Sequence, residues 1–200
     1  MIRVKICGIT TPDDAVLAAE LGASAIGLVF WPGSPRCVDA ARARAIVRAL
    51  PPFVSAVGVF VDQVEESAQI ARDIGLSAVQ FHGDERGAAY RDFPFRVIKA
   101  VTVRDASARE EAAVVPATAT VLLDAHDRVK RGGTGRVIDW AIAAMIARER
   151  PVILSGGLSA DNVADAIAAV KPYAIDVSSG VESAPGRKDP AKLRALFAAL

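Results

Sequence analysis

Lys5-Ile6-Cys7-Gly8-Ile9-Thr10 puts a cation and a thiol on one side of a short β-rich run that stops at a glycine. Side chains alternate faces along a strand, so Arg3, Lys5 and Cys7 share one face while Val4 and Ile6 take the other. In a parallel sheet covered by helices the apolar face lies under the helices, which turns the cation and the thiol the other way. The thiol then sits at the strand's C-terminal end, where the βα loops of α/β barrels build their sites. An isolated thiol is ordinarily an inert core residue, so Cys7 takes a chemical reading only from its companions. Leu122-Leu123-Asp124 ends another strand-like run with a carboxylate that the strand fixes more rigidly than a loop would. His126 and Asp127 lie just beyond, and Asp127 reads as a turn cap. Arg36, in Trp31-Pro32-Gly33-Ser34-Pro35-Arg36, follows a third run. Two prolines stiffen that loop and aim a guanidinium suited to a substrate carboxylate. Gln80 and His82 share one face of a fourth run, and His82 reads as a binding group rather than a base.

Three glycine turns add an anion site. They are Gly132-Gly133-Thr134-Gly135, Ser155-Gly156-Gly157-Leu158 and Ser178-Ser179-Gly180-Val181-Glu182, after the last three strand-like runs. Glycine lets backbone N–H groups approach an anion with no Cβ in the way. In α/β barrels the loops after strands seven and eight hold phosphate in this manner. Ser178 and Ser179 contribute hydroxyls, so the turns predict a small phosphorylated metabolite as ligand.

These groups need a scaffold that brings strand ends together. Eight β-like runs can be marked: 4–7, 25–30, 55–61, 78–82, 96–101, 119–124, 152–155 and 174–178. Most are Val- and Ile-rich and nearly continuous in hydrophobicity, as strands buried on both faces should be. Between and after them lie helical spacings, opened by Thr11-Pro12-Asp13-Asp14 and continuing over 39–50, 64–75, 84–92, 104–114, 139–148, 161–170 and 189–200. A threonine cap, a proline at the first helical position and acids in the first turn mark the first helix. Strict alternation of this kind predicts parallel βαβ units. The expected fold is therefore α/β, a single (β/α)8 TIM barrel with eight parallel strands spanning residues 1–200. A doubly wound open sheet is the alternative, but it would place its glycine-rich phosphate turn after the first strand, where Cys7-Gly8-Ile9-Thr10 offers one glycine.

Composition narrows the function classes. The chain's 24 basic and 23 acidic residues nearly cancel, so no broad basic face predicts nucleic acid or an anionic membrane as partner. Cys7 and Cys37 form no disulfide framework and lack the spacing and histidine partners of a zinc site. Met-Ile-Arg-Val-Lys runs directly into a strand without the pattern of a secretory leader, and no apolar stretch approaches the length of a membrane span. A cytoplasmic protein without metal is the expectation.

Taken together, the motifs resemble those of the phosphoribosylanthranilate isomerase family of tryptophan biosynthesis. The resemblance runs in family order through Lys5–Thr10, Gly58-Val59-Phe60-Val61, Gln80-Phe81-His82-Gly83, Leu122-Leu123-Asp124, Gly132–Gly135, Leu154–Leu158 and Asp176–Glu182. Cys37 departs from it, standing where the family tends to have an aromatic, and the loop from Asp124 to Gly132 is this chain's own. The resemblance implies an Amadori rearrangement that uses no cofactor. It makes Asp124 the general acid that protonates the furanose ring oxygen and Cys7 the general base that removes the C2 proton. It implies that Arg36 holds the anthranilate carboxylate and that the glycine turns hold the phosphate. His82, Gly133, Gly156, Gly157, Asp176, Ser179 and Gly180 are the further substrate-binding residues it implies, in a monomer or homodimer. The Cys7–Asp124 pair argues against related phosphate-binding barrels such as indole-glycerol-phosphate synthase or the tryptophan synthase α subunit. A barrel that binds a phosphorylated ligand without turnover is the non-enzymatic alternative. Lys5 and Asp176 should meet in the lumen one layer below the rim once strands one and eight pair, with Lys5 lowering the thiol's pKa.

Overall fold

Runs of Val, Ile and Leu in this chain are too short to be buried helices, and each is followed by polar, capped helical sequence. Burying both faces of such runs calls for parallel strands with helices outside. A computed structural model describes residues 2–125 and 137–200 of the chain. Its eight parallel strands are β1 (Arg3–Cys7), β2 (Ala25–Val29), β3 (Ser55–Phe60), β4 (Ala78–Phe81), β5 (Arg96–Thr102), β6 (Ala119–Asp124), β7 (Val152–Leu154) and β8 (Ala174–Val177). They close into a barrel in chain order, with β1 hydrogen-bonded to both β2 and β8. The helices are α1 (Pro12–Glu20), α2 (Ala40–Ala49), α3 (Val64–Ile74), α4 (Gly87–Tyr90), α5 (Ala108–Ala113), α6 (Trp140–Glu149), α7 (Val163–Val170) and α8 (Pro190–Ala198). The expected (β/α)8 barrel is therefore present, and each strand lies within about a residue of its expected range.

Two helices are much shorter than their sequence spacing predicts. The one expected over 84–92 is a single turn, α4, because Glu85 turns its carboxylate back to accept from the Gly83 and Asp62 N–H groups and from the Lys99 ammonium. The one expected over 104–114 begins only at Ala108, because the Asp105 carboxylate accepts from the Ser107 N–H in a local turn. An unexpected antiparallel hairpin, β9 (Glu182–Ala184) and β10 (Arg187–Lys188), follows β8.

The packing separates into two environments. Val4, Ile6, Ile26, Leu28, Val79, Phe81, Val121, Leu123 and Ile175 face outward and pack against the helices in one continuous core. Inward, Ile98, Ala100, Leu122, Ile153 and Ala174 fill the lower lumen. Each large side chain so buried contributes roughly 1.5–3 kcal/mol. The apolar plug leaves only the upper lumen for polar groups, and its occupants come from strand C-terminal ends. None of the described helices is long and apolar enough to cross a membrane.

Candidate active site

Parallel pairing sets Lys5 opposite Asp176 and Cys7 opposite Gly27. The Lys5 ammonium donates to Asp176 Oδ1 at 2.8 Å, with both groups buried, one layer below the rim as the sequence predicts. Gly27 is the reason both β1 side chains fit. A Cβ there would lie 2.7 Å from Cys7 Sγ and 3.1 Å from Lys5 Nζ, so the bare backbone of β2 gives thiol and ammonium their room. Burial opposes the charge on Lys5, but Asp176 and the thiol outweigh it and push the ammonium up to about 12. For Cys7 the balance differs. Burial raises the thiol's pKa, Asp176 adds to that, and Lys5 and Lys188 pull it down without overcoming burial. Lys5 thus lowers the thiol's pKa as expected, but burial is the larger influence and the thiol sits above its ordinary value.

Across the lumen, Asp124 ends β6 and is buried. Its Oδ2 lies 3.2 Å from His82 Nε2, and His82 Nδ1 lies 3.0 Å from Gln80 Nε2. One cavity at the C-terminal end of the barrel is lined by Cys7, Arg36, Gln80, His82, Asp124 and Asp176 together. Ser34, Ser155 and Ser178 line it too, and Val29, Trp31, Val59 and Val61 form an apolar wall in which Trp31 packs against Cys7, Val29 and Val59. Such a wall receives the face of an aromatic ring. These valines read from sequence as ordinary strand residues, and their alternation with Leu28 and Phe60 is the signal that turns them inward.

Arg36 reaches the cavity, but its guanidinium is already held. Nε and Nη2 donate to Glu182 Oε1 and Oε2 at 2.9 and 2.7 Å, which leaves Nη1 for a ligand. The Lys188 ammonium donates to the same carboxylate at 2.9 Å and to the Cys7 and Ser178 carbonyls at 2.6 and 3.2 Å. Burial raises the Glu182 pKa, but Arg36 and Lys188 outweigh it and hold the carboxyl below its usual range; burial holds Lys188 below its own. Sequence reasoning assigned Glu182 and Lys188 no role. Glu182 and Lys188 stand beside each other only because of the hairpin at 182–188, which carries no strong strand signal.

The glycine turns lie against this cavity. Gly156, Gly157, Ser178, Ser179 and Gly180 line a second small pocket that shares Asp124, Ser155, Asp176 and Ser178 with the first. Gly156 and Gly157 have φ of 87° and 63°, and Asn162 ties the turn down through its bonds to the Ser159 N–H and the Gly157 carbonyl. A Cβ at Gly180 would collide with the Leu158 carbonyl oxygen, so the turns after β7 and β8 approach as only glycine allows. Gly133, with the rest of the Gly132–Gly135 turn, His126 and Asp127, lies outside the described residues. A larger cleft of about 800 Å³ runs beside β5 and α4, and it shares only His82 with the cavity of Cys7. Among the described residues no cluster of His, Cys, Asp and Glu could hold a metal ion.

A thiol and a carboxyl group thus face one space with an anion cradle at its side. The family model for N-(5'-phosphoribosyl)anthranilate (PRA) isomerase matches residues 4–199. An N-(5'-phosphoribosyl)anthranilate isomerase of Pelobacter propionicus is 48% identical over 195 residues, covering 97% of this chain and 93% of that protein. Among solved structures, a phosphoribosyl anthranilate isomerase in complex with reduced 1-(o-carboxyphenylamino)-1-deoxyribulose 5-phosphate superposes with a TM-score of 0.89 at 40% identity, covering 98% of this chain and 97% of that one. Monomers of the dimeric phosphoribosylanthranilate isomerase from Thermotoga maritima match with a TM-score of 0.89 at 38% identity, covering 100% and 98%. The chain belongs to the N-(5'-phosphoribosyl)anthranilate isomerase family.

Proposed function

We propose that this chain catalyses the Amadori rearrangement of N-(5'-phosphoribosyl)anthranilate to 1-(2-carboxyphenylamino)-1-deoxyribulose 5-phosphate in tryptophan biosynthesis, with Asp124 as general acid and Cys7 as general base. The observation that supports this most directly is the single cavity lined by both groups from opposite strands, β1 and β6, beside the glycine turns. Asp124 gives its proton to the furanose ring oxygen as the C1–O bond breaks, and the anilino nitrogen's lone pair forms the Schiff base. Cys7 takes the C2 proton, and the electrons of that C–H bond flow to the nitrogen to give the enolamine. Return of a proton to C1 with loss of the C2 hydroxyl proton gives the ketose, so atoms and charge balance without a redox partner.

Positioning supplies the rest. The phosphate sits on backbone N–H groups of the turns at Gly156–Gly157 and Ser179–Gly180, with the Ser178 and Ser179 hydroxyls as further donors. Arg36 Nη1 receives the anthranilate carboxylate, Glu182 holding the other side of the fork, and the ring lies on Trp31 and the valine wall. Asp176 shares the lumen with the ribose while paired to Lys5. The test is loss of anthranilate-type fluorescence when purified protein meets phosphoribosylanthranilate. Cys7→Ala and Asp124→Asn should each lower turnover by about 10²–10⁴-fold while a reduced product analogue still binds. Turnover within a few-fold of the unaltered protein in either variant would refute that residue's assignment. Damage from Asp127→Asn in place of Asp124→Asn would move the acid to the other carboxylate.

A further inference from the structure

Both nitrogens of the His82 ring are engaged, one by Gln80 from its own strand and one by Asp124 from β6. His82 Nδ1 lies 3.0 Å from Gln80 Nε2, and His82 Nε2 lies 3.2 Å from Asp124 Oδ2. Nothing in the acid–base chemistry above uses Gln80, yet it is 1% exposed and lines the cavity. A buried amide at that position has a definite orientation to choose. With its NH2 toward Nδ1, the atom left without a partner among the described residues is Oε1, a single acceptor. The reversed amide would set Oε1 against Nδ1 and strand two N–H donors in the same buried place. As placed, Nε2 faces Nδ1, and an amide nitrogen can only donate, so the contact makes Gln80 the donor.

A neutral imidazole has one N–H. If Gln80 donates to Nδ1, that nitrogen must offer its lone pair and the proton must sit on Nε2, facing Asp124. We propose that Gln80 fixes His82 in its neutral Nε2–H form, so that His82 donates to Asp124 Oδ2 and cannot take the acid's proton at Nε2. The inference rests on the reading of Asp124 as general acid. The alternative tautomer would turn the Nε2 lone pair toward Asp124 and let the imidazole take the proton intended for the ring oxygen. A ring already protonated at Nε2 has no lone pair there to take it. Gln80 is thus a positioning residue. It touches neither the reacting bond nor the acid, and acts through the tautomer it imposes.

The chain's two histidines make this directly observable. In uniformly ¹⁵N-labelled protein at pH 7, long-range ¹H–¹⁵N correlation distinguishes protonated from unprotonated ring nitrogens, and loss of one set of signals in His82→Asn identifies His82. The expected result is a single neutral form with the proton on Nε2. Gln80→Leu should let the second tautomer appear and lower kcat by about tenfold with KM within about threefold. That is a part of the ~10²–10⁴-fold cost of losing the acid altogether. Gln80→Glu, which offers an acceptor to Nδ1, should move the proton there or produce the imidazolium. An Nδ1–H form or an imidazolium in the unaltered protein overturns the proposal. So does a single unchanged Nε2–H form in Gln80→Leu, whatever happens to kcat, because Gln80 would then act by packing. Failure of the unaltered protein to turn over phosphoribosylanthranilate would refute the functional reading instead, and the tautomer spectrum would still decide the role of Gln80.

Discussion

Lys5 and Asp176 act on the thiol with opposite signs, and that opposition is measurable. Cys7 Sγ and Lys5 Nζ lie 2.7 and 3.1 Å from one point on Gly27, so the two atoms are less than about 6 Å apart. At an effective dielectric of about 20, a cation at ~6 Å stabilises a thiolate by roughly 2.8 kcal/mol, or about two pKa units. Lys5→Met should therefore raise the thiol's pKa by about two units or more, and Asp176→Asn should lower it. Lys5→Met alone strands a buried carboxylate, at a cost of roughly 3–5 kcal/mol of stability, whereas the double variant Lys5→Met/Asp176→Asn removes both charges and spares most of that. The assay is the pH dependence of iodoacetamide alkylation in a Cys37→Ser background, since Cys37 is the other thiol and is exposed, alongside the pH profile of kcat/KM. The basic-side rise should move to higher pH in Lys5→Met and to lower pH in Asp176→Asn. Equal shifts in the same direction, or no shift in a folded Lys5→Met protein, would leave the ion pair with a structural role alone. The pair also bears on alkaline stability. Folding raises the Lys5 pKa from 10.5 to about 12, so its contribution is complete below about 10.5 and is lost as pH rises through 12.

Two further outcomes follow from the rim. Gly180→Ala forces the turn after β8 away from the Leu158 carbonyl, so the KM for the phosphorylated substrate should rise at least tenfold (~1.4 kcal/mol) with a smaller change in kcat; an unchanged KM would separate this turn from the phosphate. Glu182 has its pKa depressed by Arg36 and Lys188, so its stabilisation is present above the ordinary value of 4.5 and disappears as pH falls. Glu182→Gln should lower the melting temperature at pH 7 and flatten its acid dependence below about pH 4.5. A variant that melts in parallel with the unaltered protein across that range would show the cluster contributes nothing.

How much of this was legible depended on where each group sits in the chain. Period-two alternation placed Lys5, Cys7 and Gln80 on the lumen side, and the order of eight apolar runs implied the closure that pairs Lys5 with Asp176. Those inferences need only strand geometry and topology. The single-turn α4 was not legible, because the Glu85 carboxylate that interrupts it bonds Lys99, fourteen residues on, and Asp62, on a different loop. Nor was the Glu182 cluster, since its guanidinium comes from 146 residues away and Lys188 is delivered by a two-residue strand. The tautomer-setting contact of Gln80 was half legible. Spacing put it on the face of His82, but an i, i+2 pair on a strand touches only when the side chains lean together, as they do here under Asp124.

The extent of the thiol's burial was what the sequence did not give, and it shows how the site can work. Lys5, two residues away, lowers the thiol's pKa as the sequence suggested, but burial is the larger influence and holds it above its ordinary value. Around it stand three buried cations, Lys5, Arg36 and Lys188, and two carboxylates, Asp176 and Glu182, so that Asp124 apart the cluster holds one surplus positive charge. A thiolate formed there completes the neutralisation instead of adding an unpaired charge to a dry lumen. The same surplus would otherwise be met by the substrate's carboxylate at Arg36, which places an anion near the thiol and opposes its ionisation. On the proposed binding mode Glu182 limits that opposition by fixing the guanidinium's orientation, so that the carboxylate would be received at Nη1, on the edge of the fork not bonded to Glu182. The thiol's pKa is therefore set by burial and by the count of buried charges around it rather than by any one neighbour. Removing Lys5, Arg36 or Lys188 singly should each raise the thiol's pKa, and removing either carboxylate should lower it.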